Sequence, residues 1–359
     1  MTSKEILLFR LMSQQIAHQR FTSATNLVSW MGAVQAQDYN MAKWAIGLRI
    51  PGATEQTINK AFDDGAIIRT HAMRGTWHIV AAADIHWMLA LTAPRILQKL
   101  KTRQKQLELT DAILKKSNKV IEQLLSKTKH ATRDEMVAAL KHAKVPVDEQ
   151  RASHLLLYAE LHGLICSGAH KEKDTTYTLL HHWAPEKKTL SREEALAKLA
   201  HTYFNSHGPA TVQDFIWWSG ASIAEGKQAL ELVKHHFIIE KNGPETWVVT
   251  EPLATLPKLH RAAYLLPAFD EFVISYKNRS NIMAIEHHEK AFSSNGIFWP
   301  VVVVNEKVTG LWKRSVVKDK VVIETTPFKR TAKTDKPLIA KAAAHFGRFL
   351  NRTPEIIHG

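Results

Sequence analysis

The sequence predicts an α+β protein in which tandem winged-helix domains are followed by a small C-terminal β-barrel. Three observations predict this fold. A pair of short helical stretches followed by a pair of strand-like runs occurs three times, and the last hundred residues change to closely spaced strands with tight turns. The chain is also 359 residues long and 45% apolar, which suffices for several packed cores. We predict four domains: winged helix 1 (1–98), a basic helical linker with winged helix 2 (99–187), winged helix 3 (188–256), and a β-barrel with a final helix (257–359).

The first copy is the least regular of the three. Its apolar spacing fits four helices and two strands. The helices are predicted at 6–14, 23–31, 42–48 and 54–64, and the strands at 67–70 and 76–80.

The second copy gives the clearest pattern. Thr132 to Glu135 opens an amphipathic run with a helix-capping signature, and a longer helix with leucines at helical spacing follows at 148–164. Strands are predicted at 164–167 and 177–180, and the polar segment 170–174 between them has the position of a wing.

The third copy and the C-terminal region complete the prediction. Thr211 is predicted to cap a helix, and a second helix and a strand pair follow it. These helices are predicted at 212–219 and 223–234, and the strands at 237–240 and 246–249, joined by a turn at 242–244. The barrel strands are predicted at 300–304, 308–312 and 321–326, before a helix at 336–350.

The charge distribution indicates a polyanionic partner. The net charge is +14, and two separate blocks carry most of it: residues 99–144 and 300–359 each hold 12 Lys/Arg against 5 Asp/Glu. Two basic blocks in a chain with a pI near 9.7 favour nucleic acid as the ligand. We therefore expect double-stranded DNA as the partner, with phosphate contacts from Lys115, Lys116 and Lys119.

Several protein classes are disfavoured by the composition. Cys166 is the only cysteine, so disulfides and cysteine-rich metal sites are excluded. No P-loop or dinucleotide fingerprint is present, and no run of 18 apolar residues occurs. We expect a cytoplasmic, nucleoid-associated monomer that acts without a metal or other cofactor and without a membrane.

Polar residues that could carry chemistry are concentrated in the first copy. The triplet Gln35-Ala36-Gln37 is predicted to end the helix that begins near Ser23. Downstream, Arg74, Thr76 and His78 alternate in sequence, so on one strand they would share a face. A guanidinium, a hydroxyl and an imidazole on one face suit contact with a phosphate group.

Four segments together resemble a known family. They are Gln35-Ala36-Gln37, the stretch from Met73 to His78, the stretch from Leu265 to Glu271, and the stretch from Gly310 to Arg314. In this order they resemble the bacterial winged-helix DNA glycosylases of the AlkZ-like group, which unhook interstrand crosslinks, and the similarity spans almost the whole chain. The resemblance implies that Gln35 and Gln37 are catalytic. Because a sister branch has Asp at the second position, it also implies membership of the QxQ branch.

Glutamine chemistry limits the substrate. A neutral amide is no general base, but it can orient a water molecule beside a developing sugar cation. That assistance suffices only for a leaving group that is already cationic, such as an N7-alkylated purine. The prediction is a monofunctional DNA glycosylase for such lesions, without lyase activity and with interstrand crosslinks as a further candidate substrate. The alternative is a non-enzymatic winged-helix DNA-binding protein or transcription regulator.

Other carboxylates remain as alternatives for the catalytic group. Asp38 follows Gln37 directly and is the next candidate for the catalytic acid. Asp270 and Glu271 resemble the pair of carboxylic acids with which glycosidases cleave a glycosidic bond. Since adjacent residues on a strand point to opposite faces, we interpret them instead as a structural ion pair or a turn cap near the barrel.

Overall fold

The fold is mixed α+β. The computed structural model describes residues 1–185, 189–242, 245–250 and 260–358. Two compact units make up the chain: Met1–Ile58 together with Ala197–Gly359, and Asn59–Leu196. Below, the first is called the discontinuous unit and the second the central unit. The α+β prediction is confirmed. The predicted turn at 242–244 lies partly outside the described residues. The predicted domain borders at 187/188 and 256/257 lie wholly outside them.

The order of elements follows the three helix-and-hairpin repeats and then the C-terminal sheet. The α-helices are α1 (Ser3–Ser13), α2 (Ala24–Met31), α3 (Tyr39–Gly47), α4 (Glu55–Asp63), α5 (Ile85–Gln106), α6 (Asp111–Thr128), α7 (Arg133–His142), α8 (Arg151–Leu161), α9 (Leu180–Trp183), α10 (Arg192–His207), α11 (Val212–Ser219), α12 (Ile223–Val233), α13 (Glu271–Ile274), α14 (His288–Ala291) and α15 (Lys336–Phe349). The strands are β1 (Val34–Gln35), β2 (Ile67–Ala72), β3 (Thr76–Ala81), β4 (Ala131–Thr132), β5 (Ile165–Lys171), β6 (Asp174–Leu179), β7 (Ala210–Thr211), β8 (Ile238–Asn242), β9 (Glu245–Val249), β10 (Ala263–Leu266), β11 (Val301–Val304), β12 (Lys307–Val317), β13 (Lys320–Pro327) and β14 (Thr353–His358).

The discontinuous unit contains a five-stranded sheet in the order β10-β11-β12-β13-β14. It forms a curled half-barrel in the region where a small β-barrel or curled sheet was predicted. A register irregularity at Val302/Val303 interrupts the β11–β12 ladder, and such bulges bend strands. Helix α15 packs on this sheet, where Phe346 and Phe349 contact the ring of Trp44. The last strand, β14, pairs in parallel with β13 and was not predicted.

The discontinuous unit also holds a three-stranded sheet in the order β7-β9-β8, with α10, α11 and α12. Helix α11 begins at a capping box in which Thr211 and Asp214 satisfy each other's backbone N–H groups. Gly220, in the left-handed region, ends α11, and Ser222 caps α12. These local signals explain why α11 has the predicted bounds.

The central unit contains the sheet β4-β6-β5 and the helices α6, α7 and α8 around one apolar core. Thr132 and Glu135 form the capping box that starts α7. The region predicted as a basic helical linker contains the C-terminal part of α5, from residue 99 onward, and all of α6. Helix ends differ from the predicted ones by a few residues, as is usual where terminal turns fray.

None of the helices in the described ranges combines the length and apolar character that crossing a bilayer requires.

Candidate active site

The Gln35–Gln37 triplet lies in a loop and a short strand, so its prediction as a helix end is wrong. Helix α2 ends at Met31, and Gly32 follows with φ at 75°. A side chain at Gly32 would be strained there and would meet the Thr202 methyl group at 2.9 Å. Glycine therefore turns the chain out of the helix, and Gln35 ends β1.

The two glutamines differ in exposure. Gln35 is 7% exposed, Ala36 is fully buried, and Gln37 is exposed. The next residue, Asp38, caps α3: its Oδ1 accepts a hydrogen bond from the backbone N–H of Met41 at 3.0 Å. The loop thus anchors one glutamine in the protein and presents the other to solvent, while the carboxylate of Asp38 stabilises a helix end.

The backbone of Gln35 is held by a buried carboxylate. Its N–H donates a hydrogen bond to Glu271 Oε1 at 2.7 Å, across 236 positions of sequence. The other oxygen of Glu271 accepts from the indole Nε1–H of Trp218 at 3.1 Å and from the hydroxyl of Ser275. The imidazole Nε2 of His207 lies 3.7 Å from Glu271 Oε2, which is too long for a hydrogen bond and close enough for electrostatic attraction.

The environment keeps Glu271 ionised. Burial by itself would raise the pKa of Glu271, but His207, the Ser275 hydroxyl and the Gln35 N–H together lower this pKa to about 2. Burial also lowers the pKa of His207, and this effect outweighs the attraction of Glu271, which by itself would raise the pKa. The hydroxyl of Ser206 lies 2.8 Å from His207 Nδ1. The site therefore holds a buried negative charge next to the glutamine loop.

The neighbouring Asp270 has a structural role. Both of its oxygens accept hydrogen bonds from the Arg49 guanidinium at 2.8 Å, and Oδ1 also accepts from the Phe272 N–H at the start of α13. Arg49 is fixed in addition by the backbone carbonyl and side chain of Gln14. The interpretation of Asp270 as an ion pair and cap is confirmed. The expectation that Asp270 and Glu271 lie on a strand is wrong, because the cap starts a helical turn.

Backbone strain precedes these two acids. Phe269 has φ at 58°, in the left-handed region that residues other than glycine rarely adopt. Such a conformation costs about 1–3 kcal/mol and is found preferentially at functional sites. The N–H of Phe269 donates a hydrogen bond to the Phe298 carbonyl oxygen at 3.3 Å. This contact helps to hold the turn that precedes Glu271.

The predicted phosphate-contact residues lie in the central unit, on and beside the β2–β3 hairpin. Thr76 and His78 share a face of β3, but Arg74 lies in the turn, so the prediction that all three alternate along a strand is wrong. Met73 and Gly75 both have positive φ, and Gly75 N–H donates to the carbonyl of Ala72, which closes the turn. His78 is 1% exposed, and its Nδ1 lies 2.8 Å from the Thr76 carbonyl oxygen. In this conformation His78 supports the hairpin from inside and presents no surface for DNA.

The predicted lysine contacts lie on one surface of the central unit. Lys115, Lys116 and Lys119 are exposed along α6, whose opposite face buries Leu114 and Ile121 in the core. Spacing of three and four residues puts positive charges next to each other on a helix. This surface has the charge and exposure that phosphate contact requires.

Sequence reasoning missed the residues that hold Gln35. Trp218 was absent from the predicted site, as were His207 and Ser275. Glu271 carried one usable signal: an acid within the apolar run from Leu265 to Val273 is expected to be buried and paired. The partners Trp218 and His207 could not be found in this way, because both lie far from Glu271 in sequence.

The similarity of the chain to known proteins shows its family. The model of the family described as "DNA glycosylase AlkZ-like" matches residues 28–349, so the chain belongs to this family, and its assignment to the class of DNA glycosylases is confirmed. A curated relative, "Interstrand DNA cross-link repair glycosylase" of Streptomyces sahachiroi, is 25% identical over 371 residues, covering 96% of this chain and 95% of the relative. The structure of Streptomyces sahachiroi DNA glycosylase AlkZ aligns over the full length of both chains with a TM-score of 0.82 and 21% identity, and so has the same fold.

Proposed function

We propose that this chain is a monofunctional DNA glycosylase that hydrolyses the N-glycosidic bond of cationic N7-alkylated purines and unhooks interstrand crosslinks of that chemistry. The observation that carries the proposal is the Gln35–Gln37 loop of an AlkZ-like chain, anchored on Glu271 by the 2.7 Å backbone hydrogen bond. The repair of crosslinks by the Streptomyces relative supports the substrate class.

The chemistry follows from the neutrality of both glutamines. An N7-alkylated purine carries a positive charge and leaves as a neutral base, so it needs no protonation. Gln37 is exposed and would orient a water molecule, while the anchored Gln35 backbone fixes the loop. A normal purine would need an acid or a stronger base and is not expected to be a substrate.

We also propose that the three helix-and-hairpin repeats are winged helices, within the domain borders given above. The element orders α6-β4-α7-α8-β5-β6 and α10-β7-α11-α12-β8-β9 support this proposal, since each ends in an antiparallel hairpin whose second strand pairs with the first short strand. We propose Arg74 and Thr76 as phosphate contacts, with His78 supporting them. Lys115, Lys116 and Lys119 would contact undamaged duplex, bound by a monomer in the cytoplasm.

A duplex with one N7–N7 crosslink between guanines tests the proposal. Incubation with the protein in EDTA should separate the two strands on a denaturing gel and leave an abasic site on one of them. Strand cleavage at that site should require added alkali, because no lyase step is proposed. A protein that binds the duplex tightly, prefers one undamaged sequence and releases no base would instead be a DNA-binding regulator.

Charge reversal on α6 should weaken DNA binding for all sequences alike. Replacing Lys115, Lys116 and Lys119 by Glu removes phosphate contacts, and each lost contact should flatten the log–log dependence of affinity on salt by about one unit. Fluorescence anisotropy with undamaged duplex at several salt concentrations measures this slope. The exposed Glu122→Gln on the same helix is the control, with no loss of slope expected. Unchanged affinity and slope in the triple variant would assign DNA binding to another surface.

A further inference from the structure

The buried acids near the glutamine loop are not all neutralised in the same way. Among the residues that the structure describes in the discontinuous unit, the buried carboxylates are Asp214, Asp270 and Glu271. Asp270 forms a bidentate pair with Arg49, and Asp214 lies 3.7 Å from the Arg10 guanidinium. Both of these acids therefore face a permanent positive charge.

Glu271 has partners of another kind. Its hydrogen-bond donors are a backbone N–H, an indole and a hydroxyl, all of which are neutral. Its ion-pair partner in the described structure, His207, lies 3.7 Å from Oε2, beyond hydrogen-bond length, and burial lowers the pKa of this imidazole. Dipoles stabilise the carboxylate without cancelling its charge, and a negative field remains at the Gln35 backbone.

We propose that Glu271 is a fixed anion that stabilises the sugar cation of the glycosylase transition state and, through the Gln35 N–H, positions the catalytic loop. This inference rests on the proposed glycosylase function. In the reaction, the C1′–N9 bond breaks with its electron pair leaving on the purine, and the positive charge passes from the base to the sugar. Water adds to C1′ and loses a proton to solvent. Glu271 forms no bond and accepts no proton, because it is 1% exposed and both its oxygens are hydrogen-bonded.

The separation sets the size of the effect. The 2.7 Å bond to Gln35, the length of a glutamine side chain and one further hydrogen bond put the carboxylate at most roughly 12 Å from a sugar held by the Gln35 amide. At this separation and an effective dielectric constant of about 20, the attraction of the carboxylate for one positive charge on the sugar favours binding of a sugar cation by at least about tenfold. The gain in rate is smaller, because the substrate purine already carries the charge and the field accelerates the reaction only in so far as Glu271 lies nearer to the sugar than to the base.

Two abasic-site analogues separate this role from a purely structural one. A duplex with a cationic pyrrolidine in place of the sugar imitates the sugar cation, and a duplex with neutral tetrahydrofuran has a similar shape without the charge. The wild type should prefer the cationic analogue. In Glu271→Gln this preference should fall by at least about tenfold, with little change in affinity for the neutral analogue, and single-turnover base release should fall by a smaller factor, because the substrate is already cationic.

The control is Glu231→Gln, which removes a surface carboxylate from the same unit and should keep the preference. If Glu271→Gln keeps the full preference, or weakens binding of both analogues equally, the proposed electrostatic role is wrong. If Glu271→Gln does not fold, Glu271→Asp decides, because it keeps the negative charge at this position. Retained preference in Glu271→Asp would support the fixed charge as the source of the field, and its disappearance would overturn the proposal. Failure of the proposed function differs from all of these outcomes, since the wild type would then release no base.

Discussion

Gln35→Ala and Gln37→Ala are each expected to slow base release by at least about tenfold, which corresponds to about 1.4 kcal/mol of activation free energy. The physical reason is that an alanine can neither orient the attacking water nor form hydrogen bonds beside the sugar cation. Affinity for DNA should hardly change, because neither glutamine is charged and phosphate contacts dominate binding. Single-turnover kinetics on a duplex with one N7-methylguanine, together with binding anisotropy, measure the two quantities separately.

The control for this experiment is Gln123→Ala, which removes an exposed glutamine from α6 and should leave the rate unchanged. The double variant of Gln35 and Gln37 should be no faster than the slower single variant. Full activity in the double variant would move the chemistry to another group, and Asp38→Asn would then be the next variant to test. Because Asp38 caps α3, Asp38→Asn should be compared with the wild type in its free energy of unfolding as well as in its rate of base release.

Asp270→Asn is expected to lower the free energy of unfolding by about 3–5 kcal/mol, the usual result of leaving one member of a buried ion pair without its partner. Arg49 and Asp270 are almost fully buried, with side chains 2% and 0% exposed. The amide would leave the Arg49 guanidinium charged in an apolar surrounding, and it would also weaken the cap of α13. Urea denaturation followed by tryptophan fluorescence measures the change.

The matched control is Glu355→Gln, which breaks the exposed pair of Lys320 and Glu355 in the same unit. Exposed pairs contribute little to stability, so this change should have a much smaller effect. If Asp270→Asn and Glu355→Gln lose similar amounts of stability, the buried pair does not hold the turn as described.

The sequence predicted the elements that depend on local signals. Thr132 and Thr211 are followed three residues later by an acid, and both begin helices as expected. Gln35 shows where local reasoning fails. The apolar residues Ala33 and Val34 continue the pattern of α2, so the helix appeared to extend to the triplet, whereas Gly32 ends it with a positive φ.

The contacts that define the site join distant parts of the chain. Gln35 and Glu271 are 236 positions apart, and Arg49 and Asp270 are 221 positions apart. No periodicity or spacing carries information about such pairs, and only the resemblance to a family indicated the glutamines. The same reason explains why β14 was not predicted. Its parallel pairing with β13 requires a crossover through α15.

The most direct test of the account is the release of free N7-methylguanine from a duplex with a single lesion, quantified by mass spectrometry with enzyme in excess. The account predicts that the wild type releases the base nearly completely, leaves an abasic strand that breaks only in alkali, and spares undamaged guanine. Absence of free base with the wild type, or undiminished release by the double variant of Gln35 and Gln37, would contradict the account.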